Sequence, residues 1–468
     1  MSAFLAGVVE GFYGRPWSRD QRETLFERMR DWGLNTYGYC PKDDLKHRAC
    51  WRDCYDRDEL ASLEETIAAA HRHGLTFFYG LGPGLDVRYA EASEVDTMVM
   101  RFQQVASAGG RHFALLFDDI ADAMRPEDRE RFGSFAAAHS HVANAVLERI
   151  RPATGADSRF LFCPTPYCGR MDAAGLGGAG YLDEIGERVH PAIDIFWTGP
   201  EIISRTISRS HADGIARRLR RRPLLWDNLH ANDYDQTRVF TGPFSGRAAD
   251  PREAYAGILL NPNCEFEANF VPLRTMAACL RGETDAYPDA YAEALAGWLP
   301  AFDGVGEPWS LEELRLLAAV YYLPHEDGEP ARELVSVAAD LVEREPGEPW
   351  DAQADRFRQL LARVDAIAVK LTELKNRELF YTFNRRWWDL REEMHLLNRY
   401  FEWKRAGGAA AHPAGGGGEF RSPEHLAGNF RGGTVRRLQR LLVMTGGGGF
   451  VPGAGLAPGD GHGRQCDH

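Results

Sequence analysis

Eight short apolar runs, spaced along the first 282 residues, constrain the fold of this chain more than any other feature of its sequence. β-Branched or aromatic residues dominate the runs, which span 5–9, 35–39, 76–80, 113–117, 160–163, 193–197, 224–226 and 257–260. Helical periodicity fills the segments between them. In the first segment, Ser18 and Gln21 stand at capping-box spacing ahead of the apolar Leu25, Phe26 and Met29. Eight strands that alternate with helices predict an α/β fold of the (β/α)8 TIM-barrel type, with a doubly wound sheet as the competing arrangement.

The pattern changes after residue 305, which predicts a second domain. Ser310 and Glu313 form another capping-box pair, and apolar residues recur at helical spacing as far as Trp403 without a strand-like run. We therefore predict a barrel domain over residues 1–305 and an α-helical bundle over residues 306–405. Residues 406–468 are rich in glycine, and we predict a flexible tail with one short helix at about 434–444.

The composition limits the classes of partner. The net charge is -13, and no basic stripe interleaved with aromatic residues is present, so we expect no binding to nucleic acid. No apolar run approaches the roughly 20 residues that span a bilayer, and the first residues lack a signal-peptide pattern, so we expect no membrane association and a cytoplasmic location. Cys50/Cys54 and Cys163/Cys168 lack the CxxC spacing of zinc and redox sites, which favours free thiols.

Polar side chains follow every predicted strand at its carboxyl end. Because the active sites of (β/α)8 barrels are built from the loops after the strands, these residues are the candidates for function. Carboxylates, amides, one lysine and aromatic rings are among them, and such groups suit a neutral ligand rich in hydroxyls. The segments are Glu10–Trp17, Pro41–Asp44, Gly82–Gly84, Asp118–Asp119, Pro164–Gly169, Thr198–Pro200, Trp226–Tyr234 and Asn261–Asn263.

Each of these residues also has a plain structural explanation. Two aspartates after a strand often begin a loop or cap a helix, and Asp118–Asp119 could also bind a metal together with His230 and Asp233. Lys42 could lie on the surface, and Trp226 could belong to the core. The functional interpretation depends on the combination, because polar residues fall at the same end of every strand.

The adjacent carboxyl groups of Asp118 and Asp119 indicate a particular chemistry. Glycosidases generally use two carboxyl groups from separate strands, about 5–5.5 Å apart for retention and about 6.5–9.5 Å apart for inversion. Neighbouring side chains point in different directions and cannot easily flank one anomeric carbon. They suit a substrate-assisted mechanism, in which one Asp orients the 2-acetamido nucleophile and the other protonates the leaving oxygen and then activates water.

Five motifs resemble those of the O-GlcNAcases, the β-N-acetylglucosaminidases of glycoside hydrolase family 84. They are Gly7–Trp17, Tyr39–Asp44, Phe113–Ile120, Trp226–Asp235 and Asn261–Asn269. The resemblance runs from residue 4 to about residue 282 and extends more weakly over residues 308–445, which resemble the helical stalk of the animal enzymes. It implies a retaining exo-glycosidase that needs no metal or organic cofactor and removes O-linked GlcNAc from Ser and Thr of proteins through an oxazoline intermediate.

The resemblance also implies roles for individual residues. Asp118 matches the residue that polarises the acetamide. Asp119 matches the general acid and base, and it is expected to hold the proton because two adjacent carboxyl groups disfavour double ionisation. The substrate-binding matches are Tyr167 and Trp226 in the N-acetyl pocket, Asn228 near the reacting centre, and Gly11, Lys42, Asp233 and Asn261 around the sugar hydroxyls.

The stalk-like region is expected to form a homodimer. This expectation comes from the resemblance and from the apolar residues of the region, among them Trp387, Trp388, Leu396 and Tyr400, which need burial. They could instead pack only within their own chain.

Two other functions stay open at this point. The enzyme could remove GlcNAc from glycans, cell-wall fragments or hyaluronan-type polymers, although a chain with a net charge of -13 is a poor partner for a polyanion. The chain could also be a catalytically silent GlcNAc-binding scaffold. The presence of both aspartates and of every matching pocket residue favours an enzyme.

Overall fold

Within the described residues, eight parallel strands close into a barrel in which each strand pairs with the next and the last pairs with the first. A computed structural model describes residues 3–121, 123–155, 157–248, 250–282, 287–408, 419–425 and 428–453. The strands are β1 (Leu5–Glu10), β2 (Thr36–Tyr39), β3 (Thr76–Leu81), β4 (His112–Leu116), β5 (Phe160–Cys163), β6 (Ile193–Trp197), β7 (Leu224–Asp227) and β8 (Gly257–Leu260). The predicted TIM barrel is confirmed, and the doubly wound sheet is excluded because this sheet has no edge.

Helices follow the strands as the periodicity predicted. They are α1 (Arg19–Trp32), α2 (Arg57–Arg72), α3 (Ala92–Ser107), α4 (Pro126–Phe132), α5 (Phe135–Thr154), α6 (Gly169–Ala173), α7 (Tyr181–Arg188), α8 (Arg209–Leu219), α9 (Pro251–Ala254) and α10 (Phe270–Leu280). The Ser18–Gln21 capping box is present at the start of α1. The connection between β4 and β5 contains two helices, α4 and α5, because Gly133 adopts a positive φ of 75° and Ser134 caps a new helix.

Apolar side chains fill the inside of the barrel. The buried set is Leu5, Val9, Cys40, Phe78, Ala114, Leu116, Leu161, Cys163, Phe196, Leu224, Trp226 and Leu259. On the adjacent strands β2 and β3, a small residue makes room for a large one: a Cβ atom on Gly38 would lie 2.1 Å from the ring of Phe78. This filled interior leaves only the loops at the strand ends available for binding.

The chain divides into two compact units. The first contains the barrel and reaches Tyr287, except for Tyr234–Pro243 and Glu267–Pro272, which belong to the second unit. The helices of the second unit are α11 (Tyr287–Trp298), α12 (Leu311–Val320), α13 (Glu329–Glu343), α14 (Glu348–Thr372), α15 (Arg377–Arg405) and α16 (Gly433–Gln439). Helix α11 precedes residue 305 but belongs to this unit, because Leu295 and Trp298 are buried in its core.

The described part of the glycine-rich tail is folded onto the second unit. Helix α16 ends at Gln439, and the next residues form an antiparallel hairpin of β9 (Leu442–Met444) and β10 (Phe450–Pro452) instead of a longer helix. The run Gly446–Gly449, predicted to be linker, forms the turn of this hairpin, where Gly448 has a φ of 76°. The run at 415–418 lies outside the described residues. None of the described helices combines the length and the apolar composition that a membrane-spanning segment requires.

Candidate active site

The parallel strands bring the predicted site residues to one end of the barrel. Gly11 follows β1, Lys42 follows β2, and Asp118–Asp119 follow β4. Tyr167, Asn228, Asp233 and Asn261 follow β5, β7, β7 and β8, and Trp226 lies within β7 near its end. All nine therefore lie at the carboxyl ends of the strands, where barrel enzymes carry their chemistry.

Asp118 is paired with a buried lysine. The Nζ atom of Lys42 donates a hydrogen bond to Oδ2 of Asp118 at 2.5 Å, and only 4% of the lysine side chain is exposed. Burial opposes the charge on Lys42, but Asp118, Asp119 and Tyr13 raise its pKa above the usual value. Lys42 therefore stays charged and compensates one of the two aspartates.

Asp119 has a different cation, Arg48, and a phenol beside it. The hydroxyl of Tyr13 and the Nη1 atom of Arg48 both donate to Oδ2 of Asp119, at 2.6 and 2.5 Å. Arg48 Nη1 also lies 2.8 Å from the Tyr13 hydroxyl. Burial favours the protonated acid, but Lys42, Tyr13 and Arg48 together hold the pKa of Asp119 below its usual value.

This electrostatic arrangement corrects the expectation that Asp119 holds the proton in the resting enzyme. The sequence argument considered only the repulsion between two adjacent carboxyl groups. In the fold, Lys42 lies against Asp118 and Arg48 lies against Asp119. Because each carboxylate has its own cation, the ionised form of Asp119 is favoured when no substrate is bound.

The amides after β7 and β8 form a cluster with the indole of Trp226. Oδ1 of Asn228 accepts hydrogen bonds from Nε1 of Trp226 at 3.1 Å and from Nδ2 of Asn261 at 3.0 Å, and its own Nδ2 donates to the carbonyl of Ile202. Oδ1 of Asn261 is buried and accepts no hydrogen bond from the described chain. A buried acceptor without a donor is costly, and a hydroxyl or N–H group of a bound ligand would satisfy it.

Gly11 and Tyr167 complete the surroundings of Trp226 and the aspartates. A Cβ atom on Gly11 would lie 2.3 Å from Cζ2 of Trp226, so only glycine fits against this ring. Tyr167 packs against the barrel core, and burial, followed by the charges of Asp118 and Asp119, raises the pKa of its phenol. Tyr167 therefore remains a neutral hydrogen-bond donor close to both carboxylates.

Asp233 anchors the loop that follows β1. Its Oδ2 atom accepts a hydrogen bond from the backbone N–H of Tyr13 at 2.9 Å, and Oδ2 of Asp43 accepts from the N–H of Gly14 at the same distance. The thiol of Cys264 donates to the carbonyl of Tyr13 at 3.3 Å. Residues from three other loops thus hold Tyr13 in place beside Asp119.

Two buried ion pairs stabilise the carboxyl ends of β1 and β7. Arg22 donates to Oε1 and Oε2 of Glu10 at 2.7 and 2.9 Å, directly before Gly11. Arg247 makes a similar two-atom contact with Asp227, and neither side chain is exposed. Breaking a buried pair leaves an uncompensated charge, so these pairs keep the loops after β1 and β7 in one conformation.

Sequence reasoning missed the roles of Tyr13 and Arg48. Tyr13 lay in a candidate segment but had no role, and Arg48 was not selected. A possible signal was that Arg48 belongs to the long connection between β2 and α2, on the functional end of the barrel. The metal alternative for His230 and Asp233 finds no support, since no three potential ligand side chains group together within the described residues.

Comparisons with known proteins agree with this geometry. The family model described as beta-N-acetylglucosaminidase matches residues 6–304. Protein O-GlcNAcase from Rattus norvegicus and that from Mus musculus are each 45% identical over 274 residues, which are 58% of this chain and 30% of theirs. The chain thus aligns with less than a third of the length of these curated relatives.

A solved structure extends the similarity beyond the barrel. A mutant of the O-GlcNAc hydrolase from Thermobaculum terrenum superposes with a TM-score of 0.70 and 26% identity. The superposition covers 87% of this chain and 83% of that one, so it includes helical residues after the barrel. With a family model that matches most of its length, and with the two aspartates at the end of β4, the chain belongs to the β-N-acetylglucosaminidase family.

Proposed function

We propose that the protein is a retaining exo-β-N-acetylglucosaminidase that removes O-linked GlcNAc from Ser and Thr of proteins by substrate-assisted catalysis. The observation that carries this proposal is the pair of adjacent carboxylates, Asp118 and Asp119, each with its own cation at the mouth of the barrel. The names of the relatives, Protein O-GlcNAcase and O-GlcNAc hydrolase, support the same substrate.

In the first half of the reaction, the oxygen of the 2-acetamido group attacks the anomeric carbon. Asp118, held by Lys42, accepts a hydrogen bond from the acetamide N–H and stabilises the positive charge that develops on this group. Asp119 gives its proton to the glycosidic oxygen as the bond from that oxygen to the anomeric carbon breaks. The products of this step are a free Ser or Thr hydroxyl and a bound oxazoline in its protonated, oxazolinium form, which keeps its N–H proton and whose positive charge Asp118 balances.

In the second half, water attacks the same carbon. Asp119, now ionised, takes a proton from the water, and the bond between the anomeric carbon and the acetamide oxygen breaks. The acetamide is restored and GlcNAc leaves with its configuration retained, because two displacements have occurred at one carbon. No protein side chain is glycosylated in this scheme.

The remaining site residues bind the sugar in this proposal. Trp226 and Tyr167 line the N-acetyl pocket, and Asn228 lies near the reacting centre. The sugar hydroxyls are held by the backbone of Gly11 and by Lys42, Asp233 and Asn261. The buried, unsatisfied Oδ1 of Asn261 is the clearest support for such a contact.

Turnover of 4-nitrophenyl β-GlcNAc tests the activity, with 4-nitrophenyl β-glucoside as the matched control. The two substrates differ only in the 2-acetamido group, so we expect hydrolysis of the first and essentially none of the second. Fluorine atoms added to the acetyl group should slow turnover progressively, because they weaken the carbonyl oxygen as a nucleophile. Equal turnover of both glycosides, or no turnover of either, contradicts the proposal.

A second experiment identifies the natural acceptor. An O-GlcNAc peptide and a chitobiose-type glycan should be compared by kcat/KM under the same conditions. We expect the peptide to be the better substrate. A higher kcat/KM for the glycan would contradict the proposed protein substrate and would indicate a glycan-processing enzyme with the same mechanism.

We also propose that the second unit forms a homodimer. Trp387, Leu396 and Tyr400 are buried within their own chain, so they do not need a partner. Tyr381 and Trp388, by contrast, are 67% and 51% exposed, and their spacing of seven residues places them on one face of α15. Exposed aromatic side chains on one helix face are typical of an interface.

Light scattering at micromolar concentration tests the dimer. The intact protein should have twice the mass of one chain, and Trp388→Ala should shift it toward the monomer. Val443→Ala, which truncates a half-exposed apolar residue of the hairpin, serves as the control and should leave the mass unchanged. A clean monomer for the unaltered protein refutes the dimer.

We propose that the enzyme acts in the cytoplasm and needs no metal or organic cofactor. The seven described cysteines are all free, which suits a reducing compartment. The proposed chemistry requires only the two aspartates and the acetamide of the substrate.

A further inference from the structure

Arg48 differs from its neighbours in the loop between β2 and α2. The nearby side chains hold the loop in place: Trp51 Nε1 donates to Asp86 at 3.0 Å, and Arg52 contacts Asp86 and Glu94 at 2.5 and 2.9 Å. Arg48 instead reaches 71 positions along the chain to Asp119. Its side chain is 19% exposed, so this contact is partly shielded from solvent.

The contact is directed at one oxygen of Asp119. Both Arg48 Nη1 and the Tyr13 hydroxyl donate to Oδ2, whereas Oδ1 accepts no hydrogen bond from the described chain. In a protonated carboxyl group, the oxygen that accepts two hydrogen bonds carries the C=O character. The proton then resides on the other oxygen. Arg48 and Tyr13 thus leave Oδ1 as the oxygen that can hold a transferable proton.

Resting on the proposed function, we infer that Arg48 is a positioning residue of the reaction. Together with Tyr13, Arg48 binds Oδ2 of Asp119, so that Oδ1 is the oxygen that gives and takes the proton. The charge of Arg48 also sets the pH range in which Asp119 can act. The side chain touches the acid through Oδ2 and acts on the substrate only through it. Its contribution should be visible in the pH dependence of catalysis and not only in stability.

The charged and titratable groups around Asp119 determine the direction of the effect. Lys42 and Arg48 favour its ionised form, and so does the hydrogen bond from Tyr13. Asp118 opposes ionisation as a like charge, and Tyr167 and Cys163 are neutral because burial raises the pKa of each. Among these groups, Arg48 is the cation in direct contact with Asp119, so its removal should make Asp119 a weaker acid.

This effect has opposite consequences in the two half-reactions. When Asp119 gives its proton to the leaving oxygen, Arg48 stabilises the carboxylate that forms and makes proton transfer easier. When Asp119 later takes a proton from water, the same contact makes it a weaker base. In the free enzyme, Arg48 also reduces the fraction of Asp119 that is protonated at a given pH, which determines where the alkaline limb of kcat/KM falls.

The test is the pH dependence of kcat/KM for an alkyl β-GlcNAc glycoside, whose poor leaving group requires the proton of Asp119. Arg48→Gln retains a hydrogen-bond donor but removes the charge, and we expect the alkaline limb to move upward by about 1 pH unit. Arg48→Lys retains the charge and should keep the limb close to that of the unaltered enzyme. Arg52→Gln is the matched control from the same loop, and it should not move the limb although its ion pairs are lost.

A second variant and the activity of the unaltered enzyme make every outcome of this test interpretable. If Arg48→Gln does not fold, Tyr13→Phe removes the other donor to Oδ2 and should move the limb upward by a smaller amount. An unchanged limb in folded Arg48→Gln, or in Tyr13→Phe if the first variant is unfolded, overturns the inference. Failure of the unaltered enzyme to hydrolyse the glycoside would instead overturn the proposed function, so the two failures are distinguishable.

Discussion

At the residue scale, the two aspartates are adjacent in sequence but have different environments. The side chain of Lys42 that contacts Asp118 is almost completely buried, whereas Asp119 lies beside Arg48 and the exposed Tyr13. A carboxylate held by a buried ammonium suits permanent charge stabilisation. A carboxylate at a more open position suits exchange of a proton with the leaving group and with water.

Replacement of each aspartate should therefore reduce activity in a different way. Asp119→Ala removes the proton donor, so kcat/KM should fall by about 10²–10⁴ on substrates with poor leaving groups and far less on an activated phenol glycoside. Asp118→Ala removes the group that stabilises the acetamide and should impair both kinds of substrate. Steady-state kinetics with aryl glycosides of graded leaving-group pKa measure this contrast. Equal losses on all substrates for Asp119→Ala would contradict the assignment.

The depressed pKa of Asp119 leads to a prediction about pH. The protonated acid is the active form in the first step, so activity falls as pH rises through the pKa of Asp119. In the free enzyme, Lys42, Tyr13 and Arg48 lower this pKa, whereas a bound sugar excludes water and raises it. The alkaline limb of kcat/KM, which reports the free enzyme, should lie at lower pH than that of kcat. Coincident limbs for an unactivated substrate would refute this prediction.

At the scale of single elements, the loop after β1 depends on one close approach. Gly11 lies directly against the indole of Trp226, whose Nε1 atom holds Asn228. The helices, by comparison, follow local rules: Ser18, Ser134 and Ser310 cap their helices where the residue pattern allows it. The loop geometry is thus a tertiary feature, whereas the helix ends are local ones.

Replacement of Gly11 tests the importance of its close contact with the indole ring of Trp226. The Cβ atom of Gly11→Ala would lie 2.3 Å from the ring, so Trp226 must move and release Asn228. We expect kcat/KM to fall by at least about 10-fold on every β-GlcNAc substrate and stability to fall by about 1–3 kcal/mol. Gly214→Ala in α8, where the nearest atom is 3.8 Å away, is the control and should be neutral or slightly stabilising. Activity and a urea melt of both variants measure the difference, and a fully active Gly11→Ala would refute the argument.

At the scale of the whole molecule, the chain joins a parallel barrel to a unit of helices with a small hairpin. The core of the second unit collects residues from distant parts of the chain, including Val239, Val271, Trp387 and Phe450. Two short segments, one between β7 and β8 and one after β8, thus belong to the helical unit. The boundary between the two units therefore cannot be given as a single position in the sequence.

Removal of metal ions should leave the activity of the whole enzyme intact. No three potential ligand side chains group together in the part of the chain that the structure describes, and substrate-assisted hydrolysis needs only the aspartates and the acetamide. Dialysis against EDTA followed by the 4-nitrophenyl β-GlcNAc assay measures this. A loss of activity that a divalent cation restores would contradict the prediction.

Local patterns in the sequence by themselves determined the barrel and the end of it that carries the site. Strand runs and capping boxes depend on neighbours within a few residues, so β5, β6 and β8 have the predicted bounds, and the others begin and end within one residue of them. Because parallel strands share a direction, Asp118, Lys42 and Asn261 had to lie at one end of the sheet.

Only the tertiary structure decided which cation lies beside which carboxylate. Arg48 and Asp119 are 71 positions apart, and their contact depends on the path of a loop that no local periodicity describes. The same is true of the hairpin, whose strands β9 and β10 are three residues each and are stabilised by burial of Leu442 and Phe450. Electrostatic partners and short strands are chosen by three-dimensional packing, and for that reason the protonation state of Asp119 could not be predicted from its sequence neighbour alone.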